Sequence, residues 1–180
     1  MTWFMTDVET DGPAPGLYSM ISFGAVIVEE GLTRTFYGKL RPISEEWVPD
    51  ALAVSGHSRE EVMEFPDPEQ TMLEFSTWIK ANCGMRKFRG REVPDARFIS
   101  DNNGFDWMFI NYYFHRYLGS NPFGHSSQNL GSLFKGMEKS MFKNFKHLRK
   151  TKHTHHPVDD AKGNAEALLA MKKMGLQIKL

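Results

Sequence analysis

The sequence predicts an α/β domain in which a mixed sheet is covered by helices. Three strand-like apolar runs come first, at Thr2–Val8, Met20–Glu30 and Arg34–Leu40, with turn residues between them. Helical periodicity takes over from Pro49 onward, and a further strand-like run at Ala96–Ser100 interrupts it. Strands followed by alternating helices and strands favour a sheet with helices packed on its faces.

Each element has a local reason. Thr2–Val8 is apolar enough for a buried strand, and Asp11-Gly12-Pro13 and Pro15-Gly16 mark the turns that follow. Met20–Glu30 and Arg34–Leu40 are joined by a hairpin turn at Glu30-Gly31, so the first three strands form an antiparallel meander. Pro49–Val54 reads as a short helix ended by Gly56, and Ser58 with Glu61 has capping-box spacing for a second short turn. In Pro68–Asn82, Met72, Phe75 and Ile79 recur at helical intervals. Met85–Asp95 is basic and polar, and is expected to be a loop. Phe105–Leu118 is a strongly apolar helix stopped by Gly119. Gln128–Arg149 is helix-prone but broken by Gly131 and Gly136, and Asp159–Met174 is a last helix ended by Gly175, with Asp159 as its N-cap.

With 180 residues and no repeat or linker, the chain is expected to be one domain spanning residues 1–180. A single cysteine, Cys83, excludes an intrachain disulfide and a cysteine-rich zinc site, which suits a reducing cytoplasmic setting. No secretory signal and no membrane-length apolar run is visible, so no membrane partner is expected. The zero net charge hides a split. Residues 121–180 carry 11 Lys and Arg against 4 Asp and Glu, a net of +7 that the first 120 residues balance. Such a split suits cation binding in one part and polyanion binding in another, and it also fits ordinary surface charge.

The acids carry the chemistry. Asp7 and Glu9 alternate with Val8, so both point to one face of the strand, about 6.6 Å apart. Paired carboxylates on a buried strand are easiest to reconcile with divalent cations, although Asp-x-Glu at a strand end is also a common solvated turn. Asp106 lies in a helix apolar nearly all round, where a carboxylate needs a partner unless it serves the helix N-terminus. In His155-His156-Pro157-Val158-Asp159-Asp160, the cap role of Asp159 leaves Asp160 free, and a histidine ahead of it can exchange protons near neutrality.

Taken in order, these segments resemble the DEDDh-type 3′–5′ exonucleases, the group of proofreading exonucleases, ribonuclease T and oligoribonuclease. The first motif is similar to Asp7-Val8-Glu9-Thr10-Asp11-Gly12, the second to Asn103-Gly104-Phe105-Asp106, and the third to His155 followed five residues later by Asp160. Ile21–Val26 and Ala51–Gly56 match further segments, so the resemblance spans nearly the whole chain. It implies a ribonuclease H-like mixed five-stranded sheet. It also implies two Mg²⁺ or Mn²⁺ ions held by Asp7, Glu9, Asp106 and Asp160, with His155 as general base. The substrate implied is single-stranded nucleic acid with a free 3′-OH, seated by Val8, Thr10, Asn103 and Phe105 and cut to nucleoside 5′-monophosphates. Relatives often form homodimers, so that assembly is open to this chain as well.

The adjacent His156 makes the base assignment depend on the five-residue spacing, which selects His155. A cluster of His147, His153, His155 and His156 could instead bind zinc, but the acids explain more of the pattern. Phe134, Met137, Met141, Phe145 and Leu148 form an apolar stripe, and Lys135, Lys139, Lys143, Lys146 and Lys150 a basic one. The basic stripe is either a solvated face or a phosphate track, with Arg86, Lys87, Arg89 and Arg91 as a second patch. The compact length leans towards RNA. The alternatives are a single-stranded DNA exonuclease of proofreading or repair type and a non-catalytic nucleic-acid-binding adaptor.

Overall fold

A computed structural model describes all of residues 1–180. Its five-stranded sheet has the order β3-β2-β1-β6-β7, built from β1 (Thr2–Thr10), β2 (Met20–Ile27), β3 (Thr35–Lys39), β6 (Ala96–Ser100) and β7 (Ser127–Asn129). The first three strands pair antiparallel, whereas β6 runs parallel to β1 and β7 parallel to β6. This is the mixed sheet expected. Every residue of β2 is buried, as its unbroken apolar run requires of a strand covered on both faces.

The helices are α1 (Pro49–Val54), α2 (Arg59–Met63), α3 (Pro68–Ala81), α4 (Asn103–Leu118), α5 (Leu130–Met137) and α6 (Pro157–Lys173). One face of the sheet packs on α3 and α4 through Phe4, Phe23, Phe75, Phe98, Phe109 and Phe114. The tilted Phe23–Phe75 pair and the edge-on contacts of Phe4 and Phe98 with Phe123 add to the burial of their large apolar surface. The opposite face packs on α5 and α6 through Met5, Val26, Ile99, Leu130, Phe134 and Leu168. No helix is long and apolar enough to cross a membrane.

Three local expectations need correction. Met85–Asp95 is a hairpin, β4 (Met85–Phe88) with β5 (Arg91–Pro94), closed by Arg89 and Gly90 at φ 48° and 76°. Two central residues with positive φ match the twist of a tight hairpin, but Arg-Gly and polar flanks conceal the signal. Residues 128–149 do not form one interrupted helix. Ser127–Asn129 completes the sheet, Asn129 caps α5 by accepting from the Ser132 amide at 2.6 Å, and only a 3₁₀ turn at Lys146–Leu148 follows. The apolar stripe therefore splits: Phe134 and Phe145 are buried, while Met141 is 73% exposed. Finally, α6 starts at Pro157 with His156 as N-cap, so Asp159 lies inside the first turn. Proline is preorganised there because its missing N–H has no partner to lose.

Candidate active site

The site lies where β1, the start of α4 and the start of α6 meet. Asp7 and Glu9 come from β1 and share a face, as strand alternation requires. Asp160 reaches them from the first turn of α6. Carboxylate oxygens of Asp7, Glu9 and Asp160 all lie within 4.8 Å of one another. Asp106, buried in the first turn of α4, lies near enough for its charge to raise the Asp7 carboxyl, but it is not one of the three acids whose oxygens come within 4.8 Å of one another. It is no helix cap: the N-cap is Asn102, three residues before Phe105 and four before Asp106.

A close approach makes the convergence possible. Gly24 pairs with Asp7 across the β1–β2 ladder. A Cβ on Gly24 would lie 2.4 Å from the Pro157 carbonyl carbon and the Val158 nitrogen, so α6 enters against bare backbone. That contact sets Asp160 beside β1.

Electrostatics follow from crowding acids in a dry place. Burial, then the charges of Asp106, Glu9, Asp160 and Asp101, hold the Asp7 carboxyl well above the ordinary carboxylate range. Although Asp7 keeps some surface exposure, desolvation still leads. Burial pushes Glu9 up to about 7, with Asp160 adding to it. Asp106 rises to about 8, again by burial first, while the Ser100 hydroxyl and Val8 amide act against the rise. Asp106 Oδ2 is buried with no hydrogen-bond partner. A clustered, raised and partly orphaned set of hard oxygens fits a divalent cation, which would offset the repulsion and give Asp106 Oδ2 a partner.

Asp160 is the most heavily partnered member. Its Oδ1 accepts from Arg149 Nη2 at 2.8 Å and from the Thr154 amide at 3.2 Å, and His153 Nδ1 lies 2.8 Å from the same oxygen. Its Oδ2 accepts from the His155 amide at 3.0 Å. These bonds fold the 149–155 segment over α6, and Glu166 fastens it further by accepting from the Lys150 and Thr151 amides, each at 2.7 Å. His155 itself is exposed at φ 60°, a left-handed conformation that non-glycine residues rarely hold without outside support. Its ring stands 4.3 Å from that of His153. His156 turns away, its ring 4.7 Å from Tyr37.

The remaining candidates are placed less openly. Val8 is buried, the Thr10 hydroxyl donates to the Gly12 carbonyl, and the Asn103 amide donates to Ser127 Oγ at 2.8 Å. Phe105 packs on Phe109. Of the histidines weighed for zinc, only His153 and His155 come together, with Asp160 completing that group. His147 stacks against Phe134 instead. Two groups escape a reading of the sequence. Asp101, just after β6, adds a fourth carboxylate field on Asp7 and reads as a turn residue beside Asn102 and Asn103. Arg149, its side chain 9% exposed, lies over Gly163, where a Cβ would sit 2.5 Å from its Nε, and looks in sequence like one more member of a basic run.

No protein-family model matches the chain. It is 42% identical to the 3′–5′ DNA exonuclease Cap18 of Escherichia coli over 132 residues, which is 73% of this chain and 66%, just under two thirds, of that one. The fold is shared with the nuclease domain of 3′hExo, a DEDDh family member solved with rAMP, at TM-score 0.76, 16% identity, 99% of this chain and 94% of that one. Cell-death related nuclease 4 matches at TM-score 0.74 and 17% identity over 97% of this chain and 64% of that one. Exonuclease I of E. coli, solved with a dA16 oligonucleotide, matches at 0.68 and 16% over 94% of this chain and 40% of its own. The identity to an exonuclease and the fold common to these nucleases give the same answer as the ordered acidic motifs: the chain belongs to the DEDDh family of 3′–5′ exonucleases.

Proposed function

We propose that residues 1–180 form one exonuclease domain that hydrolyses single-stranded nucleic acid from a free 3′-OH end, releasing nucleoside 5′-monophosphates. The observation that carries this is the meeting of Asp7, Glu9 and Asp160 within 4.8 Å, with buried Asp106 close enough for its charge to act on Asp7. We assign Asp7, Glu9, Asp106 and Asp160 as the residues that would hold two Mg²⁺ or Mn²⁺ ions. When bound, such ions acidify the attacking water and stabilise the departing 3′ oxygen.

His155 is the general base in this reading and takes a proton from the attacking water at a ring nitrogen. The hydrogen bond from the His155 backbone N–H to Asp160 anchors the loop that carries the ring, and a ring nitrogen lies within 4.8 Å of an Asp160 carboxylate oxygen. Arg149, Thr154 and His153 hold the same carboxylate from the other side, so the base and the acid move as one unit. Val8 backbone, Thr10, Asn103 and Phe105 line the route assigned to the terminal nucleotide. Beside His155, Tyr37, Lys39 and His57 border a cleft of about 320 Å³ that can take the next part of the strand. A reducing cytoplasmic setting suits the lone Cys83.

DNA as the substrate is favoured by one observation, the 42% identity to a 3′–5′ DNA exonuclease. Strands of equal sequence in RNA and DNA, labelled at the 5′ end and incubated with Mn²⁺ or EDTA, test both. A ladder shortening from the 3′ end with Mn²⁺ alone, absent for Asp7→Ala, is the expected result. Internal cuts, or a ladder that survives EDTA, would refute the proposal, and the faster strand names the substrate.

A further inference from the structure

A second cavity, of about 290 Å³, opens at the other end of α4. Ser120, on its rim, lies fourteen residues beyond Asp106, about 20 Å along the helix direction. It is walled by the β4–β5 hairpin, the end of α3 and the loop before β7, none of which contributes a carboxylate to the candidate active site.

Its chemistry is uneven. Arg86 Nε and Arg97 Nη2 lie 3.5 Å and 3.4 Å from the same oxygen, Asp95 Oδ1. One carboxylate therefore holds two guanidinium groups side by side while its other oxygen meets the Met1 ammonium at 3.0 Å, so its single charge neutralises only one of three cations. Lys80, on the same wall, has no acidic partner within 4.0 Å, and His125 has none either. At least two positive charges are left without a counter-charge in a concave site. Beside them Phe88 stays 42% exposed, with the Arg86 guanidinium carbon 5.2 Å from its ring centroid. Buried Phe123 forms part of the floor.

An excess of paired guanidinium charge fits a phosphate, because arginine forks match its geometry. An exposed ring with a guanidinium plane beside it fits the face of a base. A volume near the lower limit of about 300 Å³ for ligand pockets suits one nucleotide unit and excludes a stacked run. We infer that this cavity, formed by Lys80, Arg86, Phe88 and Arg97, is a second nucleotide-binding site, separate from the carboxylate centre. The unit it takes is either a free mononucleotide or one nucleotide of a strand whose 3′ end lies elsewhere. The inference does not depend on the carboxylates being catalytic.

The test is calorimetric titration in EDTA, which removes cation-dependent binding at the carboxylates. The probes are AMP, adenosine, inorganic phosphate, a trinucleotide and a twenty-nucleotide strand, against wild type, Lys80→Gln and Phe88→Ala. Both substituted residues are at the surface, and unchanged melting temperatures confirm folding. If the site takes free nucleotide, AMP binds more tightly than adenosine or phosphate, and each variant loses about tenfold in affinity. If it takes part of a strand, the long strand shows that tenfold loss, while AMP is not bound and the trinucleotide is unaffected. Equal binding by wild type and both variants for every probe would overturn the inference. So would phosphate matching AMP with no effect of Phe88→Ala, since that describes a patch for anions in general. Hydrolysis of the trinucleotide with Mn²⁺ is expected to be the same in wild type and both variants, so a failure here stays distinct from a failure of the proposed activity.

Discussion

Gly24 lies under the first peptide of α6: the space its Cβ would fill is taken by the Pro157 backbone, with the carbonyl carbon 2.4 Å and the oxygen 2.5 Å from that point. Because Gly24 is also the ladder partner of Asp7, this one contact fixes how near Asp160 can come to β1. Gly24→Ala must push backbone, which yields far less readily than a side chain. We expect a loss of about 1–3 kcal/mol in urea unfolding, the usual cost of overpacking. We also expect a fall in turnover of about 100-fold from the displaced Asp160. Unchanged stability and turnover would mean that α6 shifts freely on the sheet.

The raised carboxylates give the cation-free protein a defined pH response. Glu9 goes from 4.5 unfolded to about 7 folded. The folded state binds that proton more tightly, so the group costs nothing below about 4.5 and destabilises the fold increasingly as pH rises to about 7. Asp106 acts with the same sign, up to about 8. In EDTA, Glu9→Gln should therefore melt close to wild type at pH 4.5 and above it at pH 8. A melting difference that shrinks as pH rises would contradict the burial argument.

Removing His155 separates chemistry from folding. His155→Asn keeps a residue type that tolerates left-handed backbone, so the loop and the Asp160 contact from its amide should persist. Turnover is expected to fall by about 100-fold or more, the usual worth of a general base. His156→Asn, whose parent ring faces Tyr37, should stay within a few-fold of wild type. Steady-state rates on one labelled strand decide this, and reversed effects would move the base to His156.

Arg149 and Asp160 form a buried ion pair, 9% and 1% exposed at their side chains. Taking away the guanidinium leaves a carboxylate without its cation, at a cost of about 3–5 kcal/mol. Arg149→Met should therefore unfold at lower urea in EDTA. Saturating Mg²⁺ should restore part of the loss, since a cation bound to the native state stabilises it. No recovery with Mg²⁺ would separate Asp160 from cation binding.

Much of this is legible in the sequence because local signals agree with the global fold. The β1 run with Asp7 and Glu9 in alternation, the apolar helix carrying Asp106, and Pro157 ahead of Asp160 each have a local cause. What is not legible depends on partners distant in the chain. Ser127–Asn129 is polar and three residues long, and becomes a strand only because β6 offers it a free edge. Arg149 looks like its lysine neighbours until Gly163 gives it a surface to lie on. The β4–β5 hairpin is mostly polar and exposed and turns on Arg89-Gly90 rather than a usual turn pair, so neither periodicity nor turn residues mark it in the sequence. Asp101 carries no pattern at all and acts through its distance to Asp7.

Four acids from three separate elements are expected to share bound cations. Crystals grown with Mn²⁺ and measured for anomalous scattering test this. Anomalous density enclosed by the carboxylates of Asp7, Glu9, Asp106 and Asp160, and lost in Asp7→Ala, is the result expected. Density confined to His153 and His155, or none beside β1, would contradict it.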